Sequence, residues 1–143
     1  MTIQQISIFL ENKYGKLNEI LSLLGKEDIR IIAATVADTS EFGILRMIVS
    51  DAKKAHDLLK SNDVSATLSE VLAIITSSTA ESFAITFNLF TKAGLSIEYM
   101  YCFSVKDKSF LILRVNDRAK ALEVIQSHNL EYVTENHLVS SQW

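Results

Sequence analysis

The sequence predicts an α+β fold in which one β-α-β-β-α-β module is used twice in tandem, residues 1–68 and 69–143. The antiparallel sheets are expected side by side with helices on one face. Two observations carry this. Apolar residues alternate in some stretches and recur every three or four residues in others, in the order strand, helix, strand, strand, helix, strand. That order then restarts at one fixed offset, the one that carries Asp51 to Asp117, without a gap.

The first strand is the alternating run Gln5-Ile6-Ser7-Ile8-Phe9-Leu10. Leu17, Ile20, Leu21 and Leu24 then form a stripe at helical spacing, which predicts a helix from Lys13 or Gly15 to Lys26 with Asn12 as N-cap. A β-rich run from Ile29 to Asp38, a turn at Thr39-Ser40-Glu41 and a strand from Phe42 to Ser50 follow. Asp51 reads as the N-cap of a second helix whose face is Ala52, Ala55, Leu58 and Leu59. That helix ends near Ser61-Asn62-Asp63, and a strand from Val64 to about Leu68 completes the module.

In the second copy, Ile6–Leu10 becomes Leu72–Thr76, and the first helix becomes the one carrying Phe83, Phe87 and Phe90. Ile29–Asp38 becomes Leu95–Ser104, Val49-Ser50-Asp51 becomes Val115-Asn116-Asp117, and Lys54-Ala55 becomes Lys120-Ala121. The period is too long for a solenoid repeat, so it reads as a tandem duplication. No Gly-, Ser- or Pro-rich linker lies between Leu68 and Leu72, which predicts docked halves. Each module alone leaves its second strand at a sheet edge. Pairing the 29–38 strand with the 95–104 strand would remove both edges, and that pairing is expected.

Composition narrows the function classes. The formal charge is -3, which offers nothing for the phosphate backbone of a nucleic acid. Neither copy of the third strand, Gly43–Ile48 or Ser109–Arg114, fits the aromatic signature of a single-stranded RNA platform. No apolar run reaches the length of a membrane span, and the start Met1-Thr2-Ile3-Gln4-Gln5 is too polar for a signal peptide, so a cytoplasmic protein without a membrane partner is predicted. A lone Cys102 agrees with a reducing compartment and reads as a strand residue. Neither first turn holds the paired thiolates of a soft-metal carrier, and no cofactor is expected. His56, His128 and His137 lie away from the first turn, and no nucleophile–base or metalloprotease motif is present. No catalytic residue is expected, and the chain is read as non-enzymatic.

The strand followed by Glu11-Asn12-Lys13-Tyr14-Gly15-Lys16-Leu17, a helix and Asp28-Ile29-Arg30-Ile31, all used twice, resembles the ACT domain. It is most similar to small stand-alone tandem-ACT proteins of bacteria, through Ala37–Arg46 and Ile97–Tyr101 as well. The resemblance implies a ferredoxin-like fold and an allosteric amino-acid-binding module, the ligand held at the first turn against a strand of the neighbouring unit. It also implies a homo-oligomer, with a separate metabolic enzyme as a further partner. Tyr14 stands where the family usually has proline, while Gly15 keeps the glycine's place.

The residues themselves suit a free amino acid. A helix start near Gly15, Lys16 and Leu17 presents backbone N–H groups to a carboxylate, and Lys13 and Lys16 add positive charge. Asn12, Glu11 and Asp38 can accept from an ammonium, and Tyr99, Met100 and Tyr101 can meet a side chain. The lysines read equally well as a solvated helix start, and Tyr99 and Tyr101 as packing between modules. Gly94 reads as a left-handed helix C-cap, and Gly43 as the opening of a strand or a point of close approach. At the second turn Ser78 and Glu81 fit a capping box, so that helix is expected to satisfy its own N–H groups. One ligand site per chain follows. The competing function is a ligand-free interaction or dimerisation subunit of a separately encoded enzyme.

Overall fold

The computed structural model describes residues 2–11, 15–38 and 41–140. Along the chain these form β1 (Thr2–Glu11), α1 (Lys16–Lys26), β2 (Ile31–Asp38), β3 (Phe42–Val49), α2 (Ala52–Ser61) and β4 (Ala66–Ser77). Then follow α3 (Ala80–Lys92), β5 (Ile97–Val105), β6 (Lys108–Val115), α4 (Arg118–Ser127), β7 (Glu131–Tyr132) and α5 (Glu135–Ser140). Two compact units result: Gln4–Glu70, and Val71–Trp143 with Met1–Ile3.

In the first unit the strand order is β2-β3-β1, followed by the opening residues of β4. The register sets Ile6 opposite Met47 and Ile8 opposite Leu45. Strand alternation therefore turns Ile6, Ile8 and Leu10 of β1 and Leu45, Met47 and Val49 of β3 to one face. These side chains are buried against Ile20 and Leu24 of α1 and Ala55 and Leu59 of α2. In the second unit the order is β5-β6-β4, with β7 pairing β4. There Leu72 and Ile74 of β4, Leu111, Leu113 and Val115 of β6, Phe90 of α3 and Ile125 of α4 form the equivalent core.

The repeat extends to the backbone at the helix ends. Helices α1 to α4 are each followed by a residue of positive φ: Asp28 at 54°, Asp63 at 60°, Gly94 at 78° and Asn129 at 51°. In each case the next residue's N–H donates back into the helix: Ile29 to Leu24 O at 3.2 Å, Val64 to Leu59 O at 2.9 Å, and Leu95 to Phe90 O and Leu130 to Ile125 O at 3.0 Å. These are Schellman caps with an apolar residue after the turn. They confirm the reading of Gly94 and start β2 at Ile31 instead of Ile29. Asp51 and Asp117 cap α2 and α4 alike, accepting from Lys54 N at 3.0 Å and Lys120 N at 3.1 Å.

Two expectations need correction, and for Gly43, at the opening of β3, the alternative reading falls away. The strands foreseen at 64–68 and 72–76 are one strand, β4, because Ser69 and Glu70 continue the extended backbone. The pairing of the 29–38 and 95–104 strands is not made among the described residues. β2 pairs with β3 and β5 with β6, and each ends the strand order of its unit. Gly43 does not mark a close approach among the described residues, because a Cβ there would meet Leu10 Cβ at an ordinary 3.6 Å.

Candidate functional site

The first turn is defined by its glycine. Gly15 is the N-cap of α1 with φ 78° and ψ -1°, and its carbonyl accepts from Glu19 N at 2.8 Å. This corrects the expected cap, Asn12, which lies outside the described residues along with Lys13 and Tyr14. A Cβ on Gly15 would meet nothing within 4 Å, so the backbone conformation and not space is what calls for glycine. With no side chain at the cap, Gly15 closes none of the first-turn N–H groups, and the positive end of the helix dipole sits at this turn.

A cavity of about 300 Å³ lies beside it, in the first unit. Glu11 from β1 and Lys16, Glu19 and Ile20 from α1 form one part of its lining. Phe9 and Phe42 form another, in edge-to-face contact with ring centres 6.2 Å apart. Residues 62–65, the turn after α2, complete it, and Phe9 N–H donates to Ser65 O at 3.4 Å. Lys16 Nζ is 3.7 Å from Glu19 Oε2. Phe9 is 62% exposed and Phe42 48%, unusual for phenylalanines flanked by a full core.

Of the residues expected at the site, Glu11 and Lys16 line this cavity, and Gly15 and the exposed Leu17 belong to the same helix start. Asp38 ends β2 and pairs with Gly43, which itself pairs with Leu10, so its backbone lies at the same end of the first sheet. Tyr99, Met100 and Tyr101 lie on β5 in the second unit, paired with Arg114, Leu113 and Ile112. Tyr99 and Tyr101 are half-buried and Met100 is exposed, on alternate faces of the strand. Sequence reasoning missed Phe9, Phe42, Glu19 and Asp63. One signal was available: with Ile6, Ile8 and Leu10 facing the helices, alternation turns Phe9 the other way.

The second turn is built differently. Thr79, not Ser78, caps α3: its Oγ1 accepts from Ser82 N at 3.1 Å and its hydroxyl donates to Ser82 Oγ at 2.9 Å. Ser78 is held elsewhere, its N–H donating to Asp107 O at 3.0 Å in the β5–β6 hairpin. The serine–glutamate box is therefore replaced by a threonine–serine pair, and the helix does supply its own cap.

A larger groove of about 580 Å³ runs along α2, but its polar groups serve one another. Lys53 Nζ donates to Asp57 Oδ2 at 2.8 Å, a bond that holds the Asp57 carboxyl below its ordinary pKa and raises that of Lys53. Lys54 Nζ donates to Glu27 O at 3.2 Å, at the negative end of α1. The histidines also have local roles. His56 Nε2 is 3.1 Å from Ala66 O, His128 Nδ1 is 3.1 Å from Val124 O, and His137 accepts from Thr134 N. Among the described residues no group of three or more His, Cys, Asp or Glu is arranged to hold a metal, and no helix is long and apolar enough to cross a membrane.

A family model described as an ACT domain pair matches residues 1–141. A crystal structure of a protein from Bacteroides thetaiotaomicron is 34% identical over 97% of this chain and 96% of that one, with a TM-score of 0.93. The regulatory subunit of aspartate kinase from Thermus thermophilus, in its ligand-free form, matches 89% of this chain and 94% of its own, at 16% identity and a TM-score of 0.62. Its counterpart from Thermus flavus covers the same shares at 18% identity and a TM-score of 0.59. No curated protein sequence matches the chain.

Proposed function

The chain belongs to the ACT family as a pair of ACT domains, and from that premise we propose that it is a non-catalytic regulatory sensor that holds a free amino acid at the β1–α1 turn. The observation that carries this reading is the left-handed glycine cap of α1, Gly15, beside a cavity of about 300 Å³. Helix N–H groups with no capping side chain suit a carboxylate, and Glu11 at the cavity wall suits an ammonium. The Thr79 cap of α3 supports one site per chain, because that helix satisfies its own N–H groups.

A thermal-shift screen of the twenty amino acids tests the proposal. An amino acid present at 100 times its dissociation constant is expected to add about 2.7 kcal/mol of stability. A flat screen would sink the sensor reading. It would favour the second one, a regulatory subunit acting on a separately encoded enzyme without a small ligand, which the likeness in fold to aspartate kinase regulatory subunits keeps in view.

A further inference from the structure

Helix α3 presents an outer face unlike those of the other long helices. α2 and α4 carry an exposed acid at mid-helix, Asp57 and Glu123, and α1 carries Glu19 one turn in. α3 has no charge from Ser82 to Thr91, and Ile85, which stands at the repeat position of Glu19, is 60% exposed. A single exposed isoleucine is ordinary on a protein surface, and the module folds with glutamate at this place. What singles out the face is the order of its side chains. Glu81, Ile85, Asn88 and Lys92 are all exposed and lie four, three and four residues apart, which sets them along one stripe of the helix.

We propose that this stripe pairs with itself: a second copy of the chain lays its α3 antiparallel on this one, about a two-fold axis between Ile85 and Asn88. The spacing reads the same in both directions, so such an axis sets Glu81 beside Lys92 of the partner subunit, and Lys92 beside the partner's Glu81. A parallel pair would set like charges together. Glu81 and Lys92 are available for this, since no ion pair among the described residues engages either. The uncharged centre buries Ile85, and Asn88 is the kind of polar seam residue that fixes register. Ser82, Ala84 and Thr91 flank the stripe with small side chains that let the helix axes approach, and the Thr91 hydroxyl is turned back on its own helix, donating to Phe87 O at 3.1 Å. In α1 the same positions hold Gly15, Glu19, Ser22 and Lys26, with an acid where α3 has its isoleucine, so the stripe belongs to the second unit alone. A helix of this length is about 20 Å long. The contact it makes stays below about 1,200 Å², the class of transient interfaces, so the dimer forms as concentration rises.

Sedimentation velocity on the full chain, run from about 10 μM to about 1 mM, tests this. The native chain should pass from monomer to dimer across that range. Glu81→Lys and Lys92→Glu should each weaken association about tenfold, because each turns both cross-pairs from attraction to repulsion. The double reversal, Glu81→Lys with Lys92→Glu, should restore most of it, although it keeps any loss that either change makes to the helix itself. Ile85→Glu gives α3 the residue the first copy already holds, so it should match the native chain by circular dichroism and remain monomeric. A native chain that is monomeric throughout overturns the proposal, and so does a dimer that Ile85→Glu leaves intact. Single reversals that leave association unchanged, or that the double reversal fails to rescue, overturn the antiparallel pairing.

Discussion

Gly15 and Thr79 start equivalent helices by opposite means. Thr79 has a hydroxyl that accepts from Ser82 N, and Gly15 has nothing to offer the N–H groups above it. At their other ends the same two helices are alike, Asp28 and Gly94 both left-handed and both followed by an apolar residue that bonds back. The hairpins are tied alike as well: Ser50 N donates to Arg30 O, and at the equivalent positions of the second copy Asn116 N donates to Ser96 O. Between these two helices the difference therefore lies at the start, not at the end. Features that both copies keep are what the fold requires, and features held by one copy need another explanation.

The core should be indifferent to which copy is altered. Leu59→Ala and Ile125→Ala each empty a fully buried site in equivalent helices, and each should cost about 2–5 kcal/mol in urea denaturation. A large cost in one and a negligible cost in the other would break the equivalence of the copies. The glycines sharpen the contrast at smaller amplitude. Gly15→Ala and Gly94→Ala both put a Cβ on a left-handed residue and should each lose about 1–2 kcal/mol. Only Gly15→Ala should also abolish the amino-acid-dependent thermal shift, and loss of the shift with Gly94→Ala would remove the asymmetry.

The smallest effect concerns charge. Lys53 and Asp57 are bonded on α2, while the equivalent positions hold Ala119 and Glu123, which cannot make that pair. The Asp57 pKa is lowered from 3.8, so its contribution is present above that value and is lost as the pH falls through the folded pKa. The Lys53 pKa is raised above 10.5, so its share persists below that value and is lost only as the pH rises through the raised pKa. Both groups are exposed, so the effect should be slight and screened by salt. Comparing the native chain with Lys53→Met in thermal melts between pH 3 and 7 should show a small gap that closes at the acid end.

Most of the architecture was legible because it rests on short-range patterns. Ile6, Ile8 and Leu10 announce a strand with one buried face, Leu17 to Leu24 a helix, and Asp51 its successor's cap. The repeat then fixed the second half from the first. The errors fall where neighbours distant in sequence decide. Ser69-Glu70 reads as a boundary or as the polar rim of a strand until its hydrogen-bond partners are known. Ser78 and Thr79 are equal candidates to cap α3 until Asp107 takes the Ser78 N–H. Gly15 was visible as a departure from the copy. The cavity was not, because Phe42 comes alongside Glu11 only through the β1–β3 register.

The outer strand β2 has a consequence for handling the protein. From Ile31 to Ala37 it carries no charge, no proline and no glycine, and Ile31 and Val36 are exposed. Its first charge is Asp38, at its very end. Sheet edges are commonly protected against templating foreign strands by lysine, proline or a bulge in mid-strand. β2 has one register shift, between Ile31 and Ala33, and a smooth ladder from there onward. A stretch of high β-propensity with so little guarding it favours association over solubility as concentration rises, so this strand is where a single lysine, at Ala34 or Val36, would act as a gatekeeper.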